Sequence, residues 1–322
     1  MTPLVDHTRS SISQKVNISN EQVVKLLENV FPGNEVQKID AMPYAYTNKT
    51  IKVSLRDDPQ ICIVKVSLEE KRYTGLKLEV ELLEKLKRND VPVPKVLYSD
   101  LSLKIFPYPF AVYSFLSGDN LADIIDKIKD QGRLGRELAD QLWKIHQIVF
   151  QRPYFALSKS PSNSWKQIWE EKMGMALPYF KQIEYSKYDQ LSKTIEGGLL
   201  KLTEPERYVL VHRDLQPQNI NWDLRNSKIV GIFDFESAMS GDFMFDFALL
   251  ERGLFKEYPL VKKGFYDGYG LRYKFPAGFE KTIEFYALMH LVYFFMRSVQ
   301  EGWPERVKIN LQRVTDMLMA GD

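Results

Sequence analysis

Hydrophobic and polar positions along this chain follow two rhythms, one after the other. Ser19-Asn-Glu-Gln22 precedes apolar residues at Val23, Val24, Leu26, Leu27 and Val30, a capping box opening an amphipathic helix that closes near Pro32-Gly33. A period of two then takes over. Glu35 to Asp40, Tyr46 to Leu55 and Gln60 to Ser67 are predicted strands, with a turn at Arg56-Asp-Asp-Pro59. In the third, Ile61, Ile63 and Lys65 share one face because side chains alternate along a strand. A lysine on that face is poorly explained as surface charge and well placed to reach phosphates beneath an apolar roof. Helical spacing appears from Gly75 to Arg88, with Val80, Leu82, Leu83 and Leu86 on its apolar side. Val91-Pro-Val-Pro94 then forces an extended connection, and Pro109 to Gly118 reads as a strand ending in a Ser-Gly turn.

Beyond Gly118 the rhythm is helical, at Asn120 to Asp130, Leu134 to Phe150, Ser164 to Phe180, Lys187 to about Thr203 and Gly264 to Met319. His146 falls on the apolar side of its helix, where a hydrogen-bonded core histidine is expected. Phe265, Tyr266, Tyr269, Phe279, Phe285, Tyr286, Tyr293, Phe294 and Phe295 lie at spacings that favour core packing. A chain of 322 residues is long for one compact domain, so two lobes are expected.

Composition narrows the function classes. Charged residues make up 27% and the net charge is +2, so neither a nucleic-acid footprint nor a polyanionic surface is implied. The single cysteine, Cys62, excludes an internal disulfide framework and fits a reducing compartment. The longest apolar stretch, Phe285 to Met296, is interrupted by His290 and too short to cross a bilayer. No secretory leader is evident in the first residues, and a soluble, cytoplasmic protein is expected. No second His or Cys stands at zinc-ligand spacing from His146.

The chemistry concentrates in Val209-Leu-Val-His212-Arg213-Asp214-Leu-Gln-Pro-Gln-Asn219 and the hairpin after it. Ile220-Asn-Trp222, a polar turn from Asp223 to Lys228, and Ile229 to Phe233 lead into Asp234. A carboxylate such as Asp214 can accept the proton of an attacking hydroxyl. Asn219 and Asp234 offer hard oxygen ligands to Mg²⁺, which keeps waters and nucleotide phosphates as its other ligands. The hairpin returns Asp234 beside Asn219, so both can face one metal cluster.

This stretch resembles the catalytic and metal loops of the protein-kinase-like superfamily. The chain around it resembles the aminoglycoside phosphotransferase and choline kinase branch. The resemblance implies an α+β, two-lobed protein-kinase-like fold: an antiparallel-sheet lobe over 1–116, a hinge at 113–117, and a mainly helical lobe over 117–322. It makes Lys65 and Glu79 an ion pair, with Glu81 a nearby competitor, and puts Tyr113 at the gatekeeper position. The backbones of Ser114 and Leu116 would meet the base, with Ile63 in the roof over it. No glycine lies between Gly33 and Gly75, so the phosphate loop would rest on Thr47 and Asn48. That departure opposes a protein kinase more than a small-molecule kinase.

Small-molecule kinases of this superfamily insert helices before the catalytic loop. By that likeness Trp165, Trp169, Glu170 and Glu171 are acceptor-site candidates, with a packing stripe as the alternative for the tryptophans. In Gly241-Asp242-Phe-Met-Phe-Asp246, the last Asp would brace the catalytic loop, while Asp242 and Glu236 would border the acceptor or cap the turn. Arg213 and Gln216 depart from the branch's usual Gly and His, and Asn221 stands where an apolar residue usually floors the base pocket.

The implied activity is transfer of a γ-phosphate from ATP or GTP, with Mg²⁺, to a hydroxyl of a small molecule. An aminoglycoside-type antibiotic or a related aminoalcohol or macrolide is the expected acceptor, in resistance or in metabolism. The expected partners are nucleotide and acceptor, with no nucleic acid or membrane, in a monomer or weak homodimer. The alternatives are a catalytically silent ligand-binding or regulatory protein on the same scaffold, and a protein kinase.

Overall fold

The computed structural model describes residues 18–42, 48–70, 73–156 and 160–320. The capping box forms at the start of α1 (Asn20–Val30): the Ser19 hydroxyl accepts from the Gln22 N–H at 3.2 Å, and the Gln22 side chain accepts from the Ser19 N–H at 2.9 Å. The periodic segments after it become β1 (Val36–Ala41), β2 (Lys49–Leu55) and β3 (Ile61–Val66). With β4 (Val96–Asp100) and β5 (Phe110–Ser114) they form a five-stranded antiparallel sheet in the order β1-β2-β3-β5-β4. The helix α2 (Tyr73–Arg88) lies between β3 and β4 in sequence.

Alternation on β3 divides the apolar residues between two cores. Cys62, Val64 and Val66 join Val23, Leu26 and Leu27 of α1 in one cluster. Ile63 packs against the other, larger cluster, which contains the apolar face of α2 and most of the chain after Tyr113. Lys65 shares the Ile63 face, on the side where the two parts of the chain meet.

Gly118 follows the sheet with φ +97°, and a Cβ there would lie 2.6 Å from a Val230 methyl and 3.0 Å from the Trp222 carbonyl. Only a residue without a side chain lets the chain turn so close to the hairpin. Next come β6 (Asp119–Asn120), α3 (Leu121–Ile124), α4 (Gln131–Ile145), β7 (Val149–Phe150), α5 (Trp165–Gln182) and α6 (Tyr188–Lys201). The strand β8 (Tyr208–Val211) enters the loop bearing Asp214, β9 (Ile220–Asp223) and β10 (Lys228–Ile232) form the hairpin, and β11 (Met239–Gly241) pairs back onto β8. Helices α7 (Met244–Arg252), α8 (Leu254–Glu257), α9 (Pro259–Gly270), α10 (Phe279–Gln300) and α11 (Pro304–Ala320) complete the chain. Among the described residues no helix is long and apolar enough to cross a membrane.

Two helical expectations are corrected. Asn120 to Asp130 holds only α3 and a 3-10 turn at Ile125–Lys127. The helix expected to Phe150 stops at Ile145, and Val149 and Phe150 pair with Val209 and Tyr208 of β8. Short apolar segments satisfy either period, and here a neighbouring strand with open backbone groups decides the outcome.

Candidate active site

The loop after β8 is fixed from below by one buried carboxylate. Asp246, in the first turn of α7, accepts from the His212 N–H at 2.9 Å and from the Arg213 N–H at 2.8 Å. His146 Nε2 reaches the same carboxylate at 3.1 Å, and its Nδ1 lies 2.9 Å from the Tyr269 hydroxyl. His146 is thus the hydrogen-bonded core residue its helical position suggests, and Asp246 sits where a brace is needed. Arg213 has φ +68°. That left-handed backbone costs a side-chain-bearing residue roughly 1–2 kcal/mol, and the paired bonds from Asp246 hold it there.

The loops bearing Asp214 and Asp234 are tied together by backbone and side-chain hydrogen bonds. The Asp214 N–H donates to His212 Nδ1 at 3.2 Å, so the ring carries its proton on Nε2, which faces the Phe233 carbonyl at 3.0 Å. The Phe233 N–H donates to the Asn219 carbonyl at 3.0 Å, and the Asn219 side-chain amide donates to the Asp214 carbonyl at 2.8 Å. Asn219 therefore spends its N–H on the loop and keeps its side-chain oxygen for a ligand. Gln216 donates to the Asp214 carboxylate, and Gln218 to Gln216 at 2.9 Å. His212 escaped the sequence reading as a structural link. Its signal was the position between the apolar strand and Asp214.

Above this loop Lys65 is buried amid three carboxylates. Its ammonium lies 2.9 Å from Glu79, 3.3 Å from Asp234 and 2.7 Å from Glu236. Burial pulls its pKa down, and the fields of Asp234, Glu236 and Glu79 outweigh that and hold it well above the usual lysine range. Asp234 has φ +67° and a side chain 40% exposed. Glu79 is nearly buried and also accepts from the Phe235 N–H at 3.3 Å, whereas Glu81 is exposed and 4.0 Å from Lys77.

Glu236 requires a correction. It was expected at the acceptor border or capping a turn, but the 3-10 turn Phe235–Ser237 swings its carboxylate back to Lys65, where the Asn48 amide also donates to it at 2.5 Å. Burial raises its pKa against the pull of Lys65. Asn48 is buried, and among the described residues its side-chain oxygen has no hydrogen-bond partner. Thr47 lies outside the described residues.

At the junction, the Tyr113 hydroxyl donates to Glu79 at 3.1 Å, adding a third contact to the carboxylate that holds Lys65. Burial and the Glu79 charge push that phenol well above its usual range. The Ser114 N–H is committed to the Lys95 carbonyl at 2.8 Å. The Asn221 amide lies 3.4 Å from both the Leu116 and Ser117 carbonyls, against the same segment.

Burial removes three other acceptor-site candidates, Trp165, Trp169 and Asp242. Trp169 is wholly buried, stacked at 5.1 Å on Phe245, and Trp165 is equally enclosed with its N–H on the Tyr286 hydroxyl at 2.8 Å. A Cβ on Gly241 would sit 2.0 Å from the Trp165 ring, which shows how closely β11 closes over it. Asp242 is buried too, accepting from the Met244 N–H at 2.9 Å and the Tyr286 hydroxyl at 2.8 Å, and burial raises its pKa. It caps a turn. Glu170 and Glu171 are exposed, with Glu171 accepting from Gln167 at 3.1 Å.

The wall beside Asp214 has residues that sequence reasoning did not assign to it. The Arg213 guanidinium lies 4.1 Å from the centre of the Phe155 ring and 5.9 Å from that of Tyr293, and donates to the Phe155 carbonyl at 3.0 Å. Lys172 of α5 lies 4.6 Å from the same Phe155 ring. The signal available was Arg213 itself, a bulky cation where the resembled branch has glycine.

The sequence profile of the phosphotransferase enzyme family matches residues 46–282. No curated protein matches. Among solved structures, the GDP complex of wild-type aminoglycoside 2'-phosphotransferase-IIIa superposes with a TM-score of 0.75 at 16% identity, covering 95% of this chain and 100% of that one. Aminoglycoside phosphotransferase APH(4)-Ia gives 0.72 at 15%, covering 94% and 100%. A ternary complex of a thermostable APH(4)-Ia mutant with AMP-PNP and hygromycin B gives 0.68 at 15%, covering 93% and 98%. At such identities the likeness shows a shared fold, the aminoglycoside-kinase-like one.

Proposed function

This chain belongs to the phosphotransferase enzyme family, and from that premise we propose that it transfers the γ-phosphate of ATP or GTP to a hydroxyl group of a small molecule. The observation that carries this reading is the convergence of three distant segments. Lys65 from the sheet lies within 3.3 Å of Asp234 from the metal loop, and that loop is bonded through Phe233 to Asn219, which is bonded to Asp214. Nucleotide binds between the 1–116 and 117–322 parts, with the 113–117 segment against its base.

The residues fit a nucleotide-borne Mg²⁺. Among the described residues no cluster of three or more His, Cys, Asp or Glu could hold a metal by itself. Magnesium held chiefly by phosphates and water needs only one or two protein oxygens, and Asp234 and the Asn219 side-chain oxygen supply them. The ion, when bound, neutralises phosphate charge. Lys65, steadied by Glu79, does the same from the sheet side. Asp214 orients the acceptor hydroxyl and takes its proton as the hydroxyl oxygen bonds to the γ-phosphorus and the bond to the β-phosphate oxygen breaks. Catalysis then rests on positioning and charge, with no covalent protein intermediate.

An aminoglycoside or aminoalcohol acceptor, and a role in antibiotic resistance, rest on family resemblance alone. A protein-kinase reading lacks an activation segment, since the chain passes from Glu236 straight into β11 and α7. A silent scaffold would have no need of Lys65, Asp214, Asn219 and Asp234 together. The test is magnesium-dependent transfer of labelled γ-phosphate from ATP and from GTP across a panel of hydroxyl compounds, with casein as a protein acceptor. Transfer to a small molecule is expected. Transfer to casein alone, or nucleotide binding without any transfer, contradicts the proposal.

A further inference from the structure

Two of the carboxylates expected at the acceptor border are turned elsewhere, and one aromatic candidate with them, while Glu170 and Glu171 stay exposed. Glu236 faces Lys65, Asp242 caps a buried turn, and Trp169 is sealed in the core. The side chain next to the proposed base is a cation. Arg213 follows β8 immediately before Asp214, half-buried, and among the described residues it makes no ion pair with a carboxylate within 4.0 Å. Arg297, a cation whose field acts on it, is paired with Glu301 at 2.5 Å. Burial pulls the guanidinium below the usual arginine range, while Tyr293 and Asp214 draw it back up. The Asp214 charge acts on it from beyond contact distance. A desolvated charge with no carboxylate in contact is expensive to keep, and stacking on Phe155 offsets only part of that.

An arginine has five N–H donors in a rigid fork. One nitrogen, Nη1, is spent on the Phe155 carbonyl, and the Tyr293 hydroxyl stands beside the group. The remaining donors suit two oxygens of one anion, the geometry in which arginine binds carboxylate and phosphate best. Lys172, on the same Phe155 ring, adds a second cation to this wall.

We propose that the acceptor is an anionic alcohol, a small molecule bearing a carboxylate or phosphate that Arg213 grips while its hydroxyl faces Asp214. This rests on the phosphotransferase reading and narrows its substrate class. Polycationic aminoglycosides would place ammonium groups against Arg213 and are disfavoured by like-charge contact. The transfer is balanced as above: the acceptor oxygen gains the γ-phosphoryl group, its proton passes to Asp214, and nucleoside diphosphate leaves.

The test uses the full chain with magnesium and ATP or GTP, and acceptors in matched sets. Glycerate and glycerol 3-phosphate are set against glycerol, gluconate and glucose 6-phosphate against glucose, and kanamycin stands for the polycations. At least a roughly ten-fold higher kcat/KM is expected for an anion over its neutral partner, on the scale of one charge-assisted bidentate contact. The two anion arms separate carboxylate from phosphate recognition. Arg213→Met should raise KM for the preferred anion about ten-fold or more while kcat changes less, and Arg213→Lys should restore part of the loss. If Arg213→Met misfolds, Lys172→Met tests the same wall with a smaller shift in the same direction.

Preference for kanamycin or for neutral alcohols would overturn the proposal and leave the phosphotransferase reading standing. So would an equal fall in kcat for anionic and neutral acceptors in Arg213→Met, the mark of a residue that only braces the loop. Bound nucleotide with no transfer to any hydroxyl would instead remove the phosphotransferase reading itself.

Discussion

Lys65 faces the loop that bears Asp214 and Arg213 lies within it, and the two cations are kept charged by opposite means. Lys65 has three carboxylates within 3.3 Å of its ammonium. Arg213 has an aromatic ring at 4.1 Å and a backbone carbonyl at 3.0 Å. The first arrangement is complete within the protein and must partly open for phosphate to enter. The second is short of negative charge and gains it from a ligand. One side of the site is built to be displaced, the other to be filled.

The largest effect expected from breaking this arrangement falls on Asp214, the residue after Arg213. Asp214→Ala should lower turnover by about two to four orders of magnitude, the usual scale for losing a general base, measured as initial rates of phosphate transfer. Near-normal turnover would refute the role given to Asp214. Lys65→Met comes next. It leaves Glu79, Glu236 and Asp234 facing one another, so a stability loss of about 3–5 kcal/mol is expected, as for breaking a buried ion pair from one side. Urea unfolding reads the stability and nucleotide titration the accompanying loss of affinity. An unfolding midpoint equal to wild type would show that the carboxylates do not depend on the lysine.

Asp246→Asn sharpens the comparison from below, because it loosens the loop on which Arg213 rides without touching Lys65. An asparagine can accept from only one of the His212 and Arg213 N–H groups, so a cost of about 1–3 kcal/mol is expected, with kcat reduced and nucleotide affinity retained. Loss of nucleotide affinity would place the brace on the wrong side of the site.

The smallest effect is a slope in pH. Burial raises the Asp242 pKa above its ordinary 3.8. Between 3.8 and the raised value, the folded protein holds a proton that the unfolded chain has released. Stability therefore falls as pH rises through that window, and the penalty is fully present above it. Asp242→Asn should flatten this part of the curve of melting temperature against pH. An unchanged slope would mean that the carboxylate is ionised in the fold at no cost.

Much of this site could be read from residue order, and the failures share a cause. Strand alternation placed Lys65 opposite Val64 and Val66, and the hairpin between Asn219 and Asp234 followed from its polar turn. The brace by Asp246 came with a recognisable Gly-Asp-x-x-x-Asp spacing. Glu236 was misplaced because a 3-10 turn reverses the direction of its side chain, and no local pattern records that. Trp165 and Trp169, one helical turn apart, would read the same on a cleft wall or in a core. Their burial depends on β11, α7 and α10 arriving from far along the chain. Val149 and Phe150 became a strand for the same reason, since their partner β8 is about sixty residues away in sequence. What depends on a distant partner without a motif was not legible.

The most direct measurement is a crystal structure with a non-hydrolysable ATP or GTP analogue and magnesium. We expect the triphosphate between the sheet and the catalytic loop, Lys65 on its phosphates, and the metal held by Asp234 and the Asn219 side-chain oxygen. Asp214 should face the γ-phosphate with Arg213 beyond it. A nucleotide bound elsewhere, or Asp214 and Asp234 turned away from it, would contradict the assignment.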